Sequence, residues 1–241
     1  MLDLAVRFIL FPILLFQGVN VRYSTLSLAN PAGRLNGVSG KGPILRLLII
    51  GDSSAMGVGT SHQEEALLGQ IRKRLSQTNT LYWSVDAKNG ATTAETIDRI
   101  RKGKKKKFDV VSVSLGVNDV TKLVPFSVWK RRFLSLIKII ELKFQADIIY
   151  ISGVPQMQYF PLLPQPLRWV VGAQANRFHR ALRKIVINRA GCRFIEMNFD
   201  PDISRMSSDG FHPGPKIYAE WGRRVYIKIR KDIKSLKKLS Y

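Results

Sequence analysis

From Leu45 onward the chain alternates short apolar runs with longer stretches whose apolar residues recur three and four positions apart. Few architectures accept that pattern. Leu45–Ile50, Leu81–Val85, Asp109–Leu115, Asp147–Ser152 and Arg193–Glu196 read as strands. Between and after them, Glu64–Ser76, Thr92–Lys102, Phe126–Phe144, Ala173–Asn188 and Lys216–Leu239 carry helical spacing. Runs such as Val110-Val111-Ser112-Val113 and Ile148-Ile149-Tyr150-Ile151 are apolar on both faces. Strands of that kind, separated by helices, pair in parallel and are covered on both sides. The predicted fold is α/β, a three-layer α/β/α sandwich around about five parallel strands.

The region before Leu45 reads differently. Residues 1–17 form an apolar segment, interrupted by Arg7 and containing Pro12. It is shorter than the roughly 20 residues that span a bilayer. Three readings stay open: an in-plane anchor with Arg7, Arg22 and Arg34 at lipid headgroups, a cleaved export signal, or a helix docked on the domain. Residues 18–43 hold the breaker clusters Asn30-Pro31-Ala32-Gly33, Asn36-Gly37 and Gly40-Lys41-Gly42-Pro43, and read as a connector. The compact domain is expected over residues 44–241. Its one cysteine, Cys192, permits no internal disulfide and is expected to pack in the core.

The polar residues worth attention follow the strands. Gly51-Asp52-Ser53 ends the first, Asn89-Gly90 the second and Gly116-Val117-Asn118-Asp119 the third. Parallel strands bring their carboxyl ends to one edge, where open α/β sheets bind ligands. An ester carbonyl needs a nucleophile, a base and donors aimed at the developing oxyanion. Ser53 can attack. The Ser53 N–H, the Gly90 N–H and the Asn118 amide can serve as donors.

Of the three histidines, His62 and His179 sit in helix-like surroundings and read as solvated or structural. His212 lies in Asp209-Gly210-Phe211-His212-Pro213-Gly214, a loop after the last strand. A turn of that length can bring the Asp209 carboxylate to Nδ1 and leave Nε2 for the serine.

Gly51-Asp52-Ser53 with Gly57, Gly90, Gly116-x-Asn118-Asp119 and Asp209-x-x-His212 resembles the four sequence blocks of the SGNH (GDSL) hydrolase family. The resemblance spans roughly residues 45–225. It implies a flavodoxin-like fold and esterase or lipase activity without a metal or other cofactor. It further implies Ser53 as nucleophile, His212 as base and Asp209 as its orienter, with Ser53, Gly90 and Asn118 forming the oxyanion hole. Ser54 departs from the leucine best known at its place. The Gly-x-Ser-x-Gly elbow of α/β-hydrolases is absent.

Composition bears on partners. Lys and Arg number 39 against 17 Asp and Glu, a formal net charge of +22. One basic cluster comprises Arg99, Arg101, Lys102 and Lys104–Lys107. Another runs from Arg223 to Lys238. Such charge suits an anionic membrane or nucleic acid. With no nucleic-acid motif and no aromatic stacking segment, the membrane is the preferred partner beside an ester substrate. The expected location is a membrane surface on its cytoplasmic face, with export as the alternative. The competing function is a basic nucleic-acid- or membrane-binding protein on a hydrolase fold. Tyr159 to Trp169, apolar and proline-rich, is expected to wall an acyl pocket, touch a membrane or pack on the domain.

Overall fold

The structure, a computed structural model, describes residues 10–24 and 27–239. Six strands form one sheet: β1 (Asn36–Ser39), β2 (Ile44–Gly51), β3 (Thr80–Ala87), β4 (Val110–Ser114), β5 (Ile148–Ser152) and β6 (Cys192–Ile195). Eight α-helices are described: α1 (Phe11–Ser24), α2 (Ser53–Met56), α3 (Leu67–Leu75), α4 (Thr93–Lys102), α5 (Val117–Thr121), α6 (Phe126–Phe144), α7 (Leu167–Ile187) and α8 (Pro215–Leu239). The strand order is β1-β3-β2-β4-β5-β6. Strands β2 to β6 pair in parallel, which bears out the expected five-stranded parallel core. Their order is that of the flavodoxin-like doubly wound sheet, and the chain reverses its winding between β2 and β4.

Side chains alternate across the sheet. Leu48, Ile50, Val111, Val113, Ile149 and Ile151 meet Trp129, Phe133 and Phe178 from α6 and α7. Leu47, Ile49, Val110 and Tyr150 meet Leu67 and Ile71 of α3 and Trp221 and Val225 of α8 on the other side. Trp129 stacks on Phe178 with ring centroids 3.8 Å apart. Cys192 is buried, and that burial pushes its thiol up to about 11.

Two expectations need correction. Residues 36–39 are not connector but an edge strand, antiparallel to β3 with Asn36 opposite Ser84 and Ser39 opposite Leu81. A four-residue strand between glycine-rich breakers is too short to show alternation. Helix α7 begins at Leu167, six residues before the predicted start. Proline tolerates the first turn of a helix, so Pro166 opens α7 rather than excluding it.

Helix α1 meets the domain along one stripe. Leu14, Gln17, Gly18 and Val21, three and four residues apart, are half-buried. The Gln17 amide donates to Gln165 O (2.6 Å) and accepts from the Leu167 N–H (3.1 Å). Residues 1–9, with Arg7 of the expected anchor, lie outside the described residues, as does the Arg22 side chain. Among the described residues no helix is long and apolar enough to cross a membrane.

Each crossover helix carries the chain back to the amino edge of the sheet, and basic residues end it there. Arg72, Lys73 and Arg74 close α3, Arg99, Arg101 and Lys102 close α4, and Lys143 and Lys184 lie in the last turns of α6 and α7. Lys104–Lys107, just before β4, share that edge.

Candidate active site

Strand β2 ends on Gly51, and the chain turns at once into α2. A Cβ on Gly51 would lie 2.4 Å from Ser114 O and 2.5 Å from the Ala55 Cβ, so only glycine lets the helix fold back there. Asp52 caps α2: its Oδ1 accepts from the Ser54 N–H (3.0 Å) and the Ser54 hydroxyl (2.7 Å). Ser53 therefore occupies the first helical position, where a backbone N–H has no helical partner.

The last loop brings its residues to this point from the far end of the chain. His212 Nε2 lies 2.8 Å from Ser53 Oγ, and His212 Nδ1 lies 2.5 Å from Asp209 Oδ2. An ionised carboxylate only accepts, so Nδ1 carries the proton and Nε2 accepts from the Ser53 hydroxyl. Asp209 is itself held. Its Oδ1 accepts from the Ser207 hydroxyl (2.6 Å) and from the backbone N–H groups of Phe211 (2.9 Å) and His212 (3.0 Å). Burial alone would raise this carboxyl. The hydrogen bonds from His212, Ser207 and the loop backbone outweigh it and hold Asp209 well below the usual carboxylate range.

The loops after β3 and β4 close the other side. The Lys88 N–H donates to Gly51 O (3.2 Å), tying the turn that holds Gly90 to the end of β2. Gly90 has φ +71°, a left-handed conformation that glycine adopts without strain. Neither the Ser53 nor the Gly90 N–H has an acceptor among the described residues. The Asn118 amide is engaged, donating to Ala91 O (3.1 Å) and to Asp52 Oδ2 (3.3 Å). All five predicted site residues thus meet at the carboxyl edge, beside the switch in strand order.

The other two histidines are occupied differently. His179 Nδ1 lies 2.9 Å from Val154 O and its Nε2 3.3 Å from Glu196 Oε2, while exposed His62 contacts Ser61. Among the described residues no group of His, Cys, Asp and Glu is arranged to hold a metal ion.

Sequence reasoning assigned no part to Asp52, Ser54, Ser114, Ser207 or Asp119. Asp52 and Asp119 are buried, and burial raises both carboxyls against the hydrogen bonds they accept. Asp119 Oδ2 accepts from the N–H (2.9 Å) and hydroxyl (2.8 Å) of Thr93, fixing the start of α4 just beyond Gly90. The signal for Asp52 was present: aspartate directly before a helix is a preferred N-cap. A serine two residues before Asp209 carries no comparable signal.

Beside Ser53 and His212 opens a cleft that is broad at its mouth. Leu115, Phe160, Met197, Phe199, Phe211 and Ile217 are among its walls. Of the predicted wall segment, Tyr159 and Phe160 reach it.

The family described as GDSL-like lipase/acylhydrolase matches residues 49–220, well over half of the chain. No curated protein matches significantly. Solved structures do. The lipase Lip_vut3 from a goat rumen metagenome superposes with TM-score 0.59 at 17% identity, covering 75% of this chain and 95% of its own. The psychrotrophic esterase EstA from a Pseudoalteromonas species gives 0.58 at 19%, with 78% and 98% covered. The acetylxylan esterase Axe2 from Geobacillus stearothermophilus gives 0.56 at 17%, with 78% and 95% covered. At such identities the likeness carries the fold, and the match over residues 49–220 carries the family. The chain belongs to the GDSL-like lipase/acylhydrolase, or SGNH hydrolase, family.

Proposed function

We propose that the chain hydrolyses a carboxylic ester with an apolar acyl chain through an acyl-Ser53 intermediate. The observation that carries this reading is the relay from Ser53 Oγ through His212 to Asp209, at 2.8 and 2.5 Å, on the wall of an apolar cleft. Ser53 Oγ attacks the carbonyl carbon while His212 Nε2 takes its proton. The oxyanion is stabilised by the Ser53 and Gly90 N–H groups, with Asn118 turning one amide hydrogen to it. The hydrogen on Asp52, at 3.3 Å, is the more weakly held of the two. On collapse, His212 returns its proton to the alcohol oxygen, which leaves. Water then attacks the acyl-serine, gives its proton to Nε2, and the acid departs as Ser53 recovers its hydrogen. Asp209, kept ionised by its loop, steadies the imidazolium at both stages.

Solved structures of similar fold include a lipase and an acetylxylan esterase. The walls of Phe160, Phe199 and Phe211 favour acyl chains over acetyl groups on sugars. The test is fluorophosphonate labelling of the native chain and of Ser53→Ala, followed by kcat/KM on 4-nitrophenyl esters of increasing chain length. Labelling of the native chain alone and a rise in kcat/KM beyond acetate are expected. Labelling that persists in Ser53→Ala overturns the nucleophile. A preference confined to acetate overturns the substrate class.

A further inference from the structure

The mechanism makes no use of α1, yet its surface is the least ordinary on the molecule. A helix apolar on all sides is normally buried. Here, among the residues whose side chains are described, the stripe through Leu14, Gln17, Gly18 and Val21 is half-buried. Phe11 (57%), Leu15 (57%) and Phe16 (73%), with Ile13 and Val19, stand in solvent on the remaining face. Exposed apolar patches of this kind mark interaction surfaces.

The position of α1 indicates what covers it. Gln17 fastens the helix to Gln165 and Leu167. The same segment, a few residues upstream, puts Tyr159 and Phe160 into the cleft wall. Arg168 clasps the segment by donating to Leu163 O and Pro161 O. The Leu162 N–H donates to Gly210 O, within the loop that carries His212. Tyr159 and Trp169, nearly half exposed, extend the apolar surface from α1 towards the mouth of the cleft.

We propose that this face of α1, with Trp169, seats the chain on an anionic lipid bilayer, so that the cleft opens at the membrane and draws its ester from the lipid. The inference rests on the ester-hydrolase reading and deepens it by naming the source of the substrate. Among the described residues α1 is about 21 Å long, less than the hydrocarbon thickness, and with one side docked on the domain it suits a position in the plane of the interface. The net charge of +22 attracts the chain to anionic lipid. The clusters that end α3 and α4 lie on the amino edge, opposite the cleft, so the charge acts as long-range attraction at low salt and the apolar face must set the orientation against it. A bilayer seated on this face would meet the mouth of the cleft through Tyr159 and Trp169.

The test is flotation of the full chain with vesicles of phosphatidylcholine and phosphatidylglycerol at low and physiological salt, against Phe11→Ser/Phe16→Ser. Trp169 reports independently, because Trp83, Trp129 and Trp221 are buried. Brominated lipid is expected to quench its emission in the native chain. The double variant is expected to lose at least about tenfold in partitioning while keeping its activity on a water-soluble ester. Equal flotation of both proteins without Trp169 quenching assigns binding to the basic edge and overturns the proposal. Absence of flotation overturns it too, and a dimer that the double variant dissolves then names a second copy as the occupant. If the double variant misfolds, quenching of Trp169 in the native chain decides alone. Flotation and quenching in a chain that cleaves no ester would sink the hydrolase reading and leave the membrane seat standing.

Discussion

At the scale of single residues, the site is a set of small polar groups each held by another. His212 depends on Asp209, and Asp209 on Ser207 and two backbone N–H groups. Asp209→Asn should keep the loop bonds to Oδ1 but present an amide to Nδ1, favouring the wrong imidazole tautomer. A fall of about 10⁴ in kcat is expected, read from steady-state kinetics. The same carboxyl has a stability signature. Its folded value lies below the ordinary one, so its contribution is complete above about pH 4 and is lost as the pH falls through the folded value. The stability gap between the native chain and Asp209→Asn, measured by urea unfolding, should shrink as the pH drops below about 4. Asp52 and Asp119 act in the opposite sense: burial raises them, so their ionisation weakens the fold as the pH rises through their folded values. Ser54, the departure from the family pattern, has a use. Its hydroxyl donates to Asp52, the partner of Asn118. Ser54→Ala should lower kcat by up to about tenfold with little change in KM, since a hydrogen bond contributes about 0.5–1.5 kcal/mol. An unchanged kcat would show that Asp52 holds Asn118 unaided.

At the scale of elements, what matters is how helices deliver loops. Helix α8 follows the His212 loop and is pinned near its start: the Tyr218 hydroxyl donates to Val58 O (2.7 Å) and the Trp221 Nε1–H to Ser152 Oγ (3.0 Å). Tyr218→Phe leaves a buried carbonyl without its donor and should cost about 1–3 kcal/mol in urea unfolding. Long periodic segments were legible before the structure. Helix α6 runs over Phe126–Phe144 as its spacing predicts, because a 19-residue amphipathic pattern has few other readings. Short or proline-rich elements were not. Strand β1 draws its stability from pairing with β3, a partner more than forty residues away, so nothing local announces it. Helix α7 starts earlier than predicted because proline forbids helix interiors but not helix starts.

At the scale of the whole molecule, charge dominates. With +22 on one chain, self-repulsion opposes the compact state. Raising ionic strength from about 0.01 to 0.15 M should therefore raise the midpoint of thermal unfolding. A midpoint insensitive to salt would mean that counter-charges such as Asp86 on Arg99 and Glu220 on Arg205 and Arg224 already neutralise the field. The fold puts the basic last turns of α3 and α4 at the amino edge and the described helix α1 beside the start of α7 at the carboxyl edge, because every crossover helix carries its last turn away from the cleft. By itself the sequence determined the α/β class, the edge where chemistry gathers and the residues that meet there, since periodicity and loop position are local properties of a chain. The 2.8 Å contact between Ser53 and His212, the engagement of Asn118, the shape of the cleft and the exposed face of α1 were decided only by tertiary structure. Each depends on distances between segments far apart in the chain, and packing sets those distances.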